Sequence, residues 1–263
     1  LEEGDWAVLT RTSLEIRDAE GRIANREMRV IQIDQASVDK GGHKHFMAKE
    51  IAEQPGVIGA AIGHYLTPEG EINISAQDID FTQFDRIVMV ACGTASYACF
   101  TAKYWFEQKA KLAFETDIAS EFRYREPVLP QTGPAMFVSQ SGETADTLAA
   151  LRYCRQNGTP AVAVVNVPES SIAREAAAIV PTYAGPEIGV ASTKAFTAQL
   201  SVLAVLALNA AKARGHLLPG DEVMAVKSLM ALPRKVTEAL EAQDDIREIA
   251  KTLAPSRDVL FLG

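Results

Sequence analysis

From Arg86 to about Arg214 the chain alternates short apolar runs with helix-length stretches five times, and that rhythm leaves few folds open. "RIVMVAC" reads as a buried strand, "YACFTAKYWFEQKAK" as a helix, "LAFET" as a strand and "ASEFRYR" as a helix. "AMFVS" follows as a strand, "ETADTLAALRYCRQNG" as a helix with a glycine stop, and "AVAVV" as a strand. The last cycle is "SIAREAA" as a helix, "IVPTY" as a strand and a long helix from Ser192 to about Arg214. Strands written as continuous β-branched runs are covered on both faces, which predicts an α/β fold: a doubly wound, mostly parallel, five-stranded sheet with right-handed crossovers. Ligands of such sheets bind at the carboxyl edge of the strands.

The flanks read differently. Trp6 to Asp34 alternates in the strand manner as "WAVLT", "SLEIRD" and "REMRVIQID", with "DAEG" as a turn. "QASVDKGGHKH" has a linker composition and puts a boundary near Gly41. "FMAKEIAEQPGVIGAAIGHYL" is helical with an interruption expected at Pro55. After Gly220 the chain is helical again through "DEVMAVKSLMALPRKVTEALEAQDDIREIAKTLA", and "RDVLFLG" repeats the pattern of "RIVMVACG", as if a second sandwich began there.

Composition narrows the partners. The formal charge is 26 − 34 = −8 over 263 residues, which disfavours a nucleic-acid partner. Three cysteines without a C-x-x-C pair indicate neither a disulfide framework nor a cysteine-rich metal site, and a reducing cytoplasm fits them. "LSVLAVLAL" is too short to span a bilayer and reads as a buried helix, so no membrane partner is expected. The chain opens on Leu1 and stops inside "DVLFLG", which reads as an excised piece of a longer protein.

Three polar loops fall on the carboxyl edge: "CGTAS", "SQSGET" and "EIGVAS". In "SQSGET" the hydroxyls of Ser139, Ser141 and Thr144 precede a helix, and Gly142 lets a ligand approach the backbone. With no basic residue before Arg152, this is a neutral cradle suited to a phosphomonoester. Neither nucleotide fingerprint, G-x-x-x-x-G-K-[ST] or G-x-G-x-x-G, is present. The competing reading is that these residues only cap a helix, and Ser192 ahead of "TKAF" is open to the same alternative. For Thr94 and Ser96 alone, a tight turn before a helix is the commoner explanation. Glu143 and Asp146 suit a first helical turn, Lys194 a surface charge with a Schiff-base lysine or phosphate ligand as the alternative, and Cys92 a small buried residue or a nucleophile. His43 and His45 lack the companions of a metal site.

The combination of "DKGGHKHFMAKEIAEQP", "ACGTAS", "FVSQSGETADTLAAL" and "EIGVASTKAFTAQL" resembles the glutamine:fructose-6-phosphate aminotransferases over essentially the whole chain. "SQSGETADT" alone is shared by sugar isomerase (SIS) domains, whose flavodoxin-like sandwich the resemblance implies. The linker and "GVASTKAFT" point to the aminotransferases.

The resemblance implies residues 1–35 as the last strands of a glutaminase domain, 36–74 as linker and helices, and 75–215 as the first SIS domain. Residues 216–257 would be inter-domain helices and 258–263 the start of a second SIS domain. It implies fructose 6-phosphate or glucosamine 6-phosphate as ligand, with no cofactor and no metal. The expected substrate-binding residues are Thr94, Ser96, Ser139, Gln140, Ser141, Thr144, Val190 and Ser192. The family often has C-G-T-S where this chain has "CGTAS", so the serine's role passes to Ser96 or to the backbone at Ala95. The catalytic histidine, glutamate and lysine of the family lie in segments this chain is not expected to contain, so no residue here is expected to be catalytic. A homodimer is expected through helical faces, with the apolar helix from Ser192 as one candidate for the surface.

Overall fold

The computed structural model describes residues 1–2, 4–28, 39–74 and 79–260. They fall into two compact units, 1–39 and 40–263.

In the first unit, β1 (Trp6–Leu9) and β2 (Leu14–Arg17) form an antiparallel hairpin with Trp6 opposite Arg17. Arg26 clamps Asp5 through two hydrogen bonds of 2.8 Å. Trp6, Val8, Leu9 and Leu14 remain exposed, so the hairpin buries too little apolar surface to be stable by itself. The third strand expected here, "REMRVIQID", lies outside the described residues from Arg29 onward.

The second unit opens with α1 (Phe46–His64). Pro55 sits inside this helix and does not interrupt it. Proline removes the N–H that would bond the carbonyl four residues back; the Gln54 amide donates to that carbonyl, Ile51 O, at 3.0 Å instead. The sheet comprises β3 (Arg86–Ala91), β4 (Ala113–Ile118), β5 (Ala135–Ser139), β6 (Ala161–Val165) and β7 (Ala178–Pro181). Its order is β4-β3-β5-β6-β7 with every pair parallel. This is the expected five-stranded doubly wound sheet. The connecting helices are α2 (Thr94–Trp105), α3 (Ala119–Arg125), α4 (Ala145–Gln156) and α5 (Ser171–Glu175). After β7 comes α6 (Lys194–Ala213), then α7 (Pro219–Met230), α8 (Leu232–Leu240) and α9 (Gln243–Leu253).

Strand side chains alternate between two apolar layers. Ile87, Met89, Met136, Val138, Val162 and Val164 face one core with α1, α2 and α6, whereas Val88, Val90, Phe137, Ala163 and Val165 face the other with α3, α4 and α5. Burial on both faces is why these strands read as unbroken apolar runs.

Two expectations are corrected. Helix α6 is not a free dimer surface, because residues from Ala195 to Ala211 pack inside the chain's own core; its apolar character comes from that burial. "RDVLFLG" does not form a strand over Arg257–Leu260, which pair with no other strand, and its last three residues lie outside the described ones. A strand needs a neighbour to satisfy its backbone groups.

Candidate functional site

The strand order reverses direction at one point. The chain leaves β3 for β4 on one side and returns to β5 on the other, so the crevice beyond the carboxyl ends of β3 and β5 is where this fold accepts ligands. A cleft of about 200 Å³ lies there, lined by Cys92, Thr94, Ala95, Val138, Ser139, Gln140, Ser141, Thr144, Ser192 and Gln199. That is below the range of about 300–1,000 Å³ typical of drug-sized ligand sites. None of the lining residues carries a charge.

The loop after β5 is wired through its own short side chains. Ser139 Oγ accepts from Gly142 N at 3.0 Å and lies 3.2 Å from Thr144 Oγ1. Ser141 Oγ accepts from Glu143 N at 3.2 Å. A hydroxyl that accepts from a backbone N–H keeps its own proton to donate, so Ser141 has its proton available to a ligand, while Ser139 and Thr144 use one hydroxyl proton between them and keep the other. Thr144 is the N-cap residue of α4, yet its side chain makes no capping bond. The open amides at that helix start and its dipole therefore favour an anion.

Gly142 has φ +66, and a Cβ at this position would lie 1.9 Å from Ser170 Oγ. Only glycine both adopts this backbone and lets the loop pack against the start of α5. The Gly142 carbonyl accepts from Ile172 N at 3.0 Å and Glu143 Oε1 from Ser171 N at 2.7 Å. Glu143 thus caps the neighbouring helix and, lying before the N-cap Thr144, is not in the first turn of α4.

The wall opposite is built from charged groups set back from the cleft. Glu187 Oε1 accepts from Thr193 N at 2.9 Å and Ala195 N at 3.1 Å, capping α6 from outside. Buried Glu50 of α1 accepts from Ile188 N at 2.6 Å and Gly189 N at 3.0 Å. A Cβ on Gly189 would lie 2.4 Å from Glu50 Oε2. Lys194, expected as a surface charge, is buried and donates to Glu53 Oε2 at 2.7 Å. Burial works against the charge on Glu53, but the hydrogen bond and charge of Lys194, with Lys49 nearby, outweigh it and hold the carboxyl below its ordinary range. Because Glu187 does the capping, Ser192 is left to line the cleft.

Of the expected residues, Thr94, Ser139, Gln140, Ser141, Thr144 and Ser192 meet in the cleft. Two do not line it. Ser96 turns its hydroxyl back onto Gly93 O at 2.6 Å, closing the first turn of α2, and Val190 projects into solvent at the loop tip. Gln199 was not anticipated. Its signal is an amide at the start of the apolar run of a buried helix, a pattern that reads as core. Cys99 and Cys154 are buried, and burial pushes both thiols up to about 12.

A family model for the SIS domain matches residues 80–209. The glutamine–fructose-6-phosphate aminotransferase [isomerizing] of Bradyrhizobium diazoefficiens is 53% identical over 265 residues, covering 100% of this chain and 44% of that protein. The protein of the same name from Zymomonas mobilis is 50% identical over 264 residues, with the same coverage. The chain thus spans less than half the length of these relatives. Among solved structures, the C-terminal domain of glucosamine-fructose-6-phosphate aminotransferase from Francisella tularensis aligns with a TM-score of 0.79 at 40% identity, over 82% of this chain and 62% of that one. Residues 80–209 match the SIS-domain family, and the whole chain is similar to a segment of the glutamine–fructose-6-phosphate aminotransferases.

Proposed function

We propose that the chain is the phosphosugar-binding part of an aminotransferase that makes glucosamine 6-phosphate from fructose 6-phosphate and glutamine. The observation that carries this reading is the convergence of Thr94, Ser139, Gln140, Ser141, Thr144 and Ser192 on one uncharged cleft at the switch point of the sheet. The serine and threonine hydroxyls and the α4 amides hold the phosphate. That binding energy fixes the remainder of an open-chain ketose where amine addition and proton transfer between its first two carbons take place.

No residue of the cleft is assigned a catalytic role. The chain positions substrate, and the chemistry falls to other parts of the parent protein. Residues 1–35 are read as the end of a glutaminase domain, 36–74 as linker and helices, 75–215 as the SIS domain, 216–257 as inter-domain helices and 258–263 as the start of a second SIS domain. A cytoplasmic setting is supported by three unpaired thiols. A homodimer is supported by the exposed aromatic stripe Tyr97, Phe100 and Tyr104 on α2.

The test is calorimetric titration of the chain with fructose 6-phosphate, beside fructose, inorganic phosphate and the Ser141→Ala variant. Saturable binding that needs the phosphate and weakens in the variant is expected. Binding of fructose as tight as that of its phosphate, or glucosamine 6-phosphate formation by the chain alone, would overturn the reading.

A further inference from the structure

Gln199 is 2% exposed and lines the cleft from the second turn of α6. Its Oε1 is shielded from solvent and has no hydrogen-bond partner among the described residues. Lone pairs left bare in this way destabilise the fold, because the oxygen has given up water and gained nothing. The neighbours that line the cleft with it offer no fixed cation. The side chain also has no packing reason to be polar, since the helix around it is otherwise occupied by Ala195, Ala198, Val202 and Leu203 in the core.

We propose that Gln199 is a specificity-determining residue of the cleft, whose carbonyl oxygen accepts a hydrogen bond from a hydroxyl of the bound sugar. The inference rests on the phosphosugar reading above and deepens it. An acceptor oxygen cannot serve the phosphate itself, whose oxygens are acceptors too; it selects a donor, and the donors on a phosphosugar are its hydroxyls. The cleft then divides its labour. The Ser139–Thr144 loop holds the anion, and Gln199 distinguishes a polyol chain from any other phosphate ester. A site whose buried polar atom is completed only by the ligand rejects analogues lacking the matching group, because that atom is then left unpaired. The strain of the bare oxygen is carried by the free protein and relieved on binding.

The test uses Gln199→Met, which keeps length and flexibility and removes the amide, with Gln199→Leu as a second variant. Thermal melting of the free protein is measured beside calorimetric titration with fructose 6-phosphate and with inorganic phosphate. The expected result is a melting temperature raised by about 2–4 °C, affinity for fructose 6-phosphate lowered about tenfold, and inorganic phosphate binding unchanged. A lowered melting temperature with unchanged sugar phosphate affinity overturns the inference and makes the amide a structural group. Equal loss for both ligands also overturns it, because the amide nitrogen would then be serving the phosphate. If the unsubstituted protein binds neither ligand, the phosphosugar reading itself falls and takes the inference with it; if it binds both and the variants bind both equally well, the inference alone falls.

Discussion

The two walls of the cleft are held in opposite ways. The Ser139–Thr144 loop shows the cleft only uncharged side chains, and its hydroxyls bond within the loop across five residues or fewer. The Glu187–Thr193 loop is shaped by carboxylates, one of which, Glu50, is 138 residues from the amide it receives. The first wall is local turn chemistry; the second is tertiary structure. A substitution in the first should change ligand binding with little effect on stability, and one in the second should do the reverse.

The largest effect expected is at the second wall. Glu53→Ala leaves the buried Lys194 ammonium without its carboxylate and should cost about 3 kcal/mol in urea unfolding. Adding Lys194→Met in the same chain should recover most of that loss; no recovery would show that the pair is not what holds α6 to α1.

Next is the one position where the neutral wall is also structurally strict. Gly142→Ala should cost about 2–3 kcal/mol, from its positive φ and from the approach to Ser170 Oγ. Combining it with Ser170→Gly should return the part due to overlap and leave the part due to backbone conformation.

A pH series also separates the walls. The Glu53 carboxyl is held below its ordinary value of 4.5 in the folded chain. The unfolded chain therefore takes up that proton first as pH falls. The stability from the pair is complete above the unfolded value and is lost as pH drops through the folded one. Melting temperature should decline as pH falls below about 5, less steeply in Glu53→Gln. Identical slopes would remove Glu53 from the account.

The smallest effect on stability belongs to Ser141→Ala, whose hydroxyl accepts one exposed N–H bond. Unfolding should shift by no more than about 0.5 kcal/mol, while affinity for fructose 6-phosphate drops. A large stability loss would erase the contrast between the walls.

The same contrast explains what could be read in the sequence. The three central strands β3, β5 and β6 are visible as apolar runs because burial on both faces writes itself into consecutive residues, as in "RIVMVA" and "AVAVV", whereas the edge strand β4, "AFETDI", is only partly buried and carries polar residues. The hydroxyl-rich loop is visible because its partners are its own neighbours. Glu50 and Glu53 show no task in the sequence, since nothing within a few residues of "KEIAEQP" reveals that it meets Gly189, and Lys194 reads as a surface charge for the same reason. Ser96 and Val190 were placed in the site by resemblance, and neither spacing nor composition can show which way a side chain turns. Pro55 looked like a break because the replacement bond comes from the side chain beside it, Gln54.

An uncharged cleft also sets how a ligand arrives and leaves. The chain carries a net charge of −8, so its overall field opposes an approaching phosphate, and no cation at the lining residues draws the anion in. Capture then begins only within hydrogen-bonding range, through dipoles whose reach is short. Added salt screens the long-range repulsion while leaving the contacts inside the cleft nearly untouched. Traffic through this site should accordingly quicken with ionic strength, the opposite of a lysine-lined phosphate pocket.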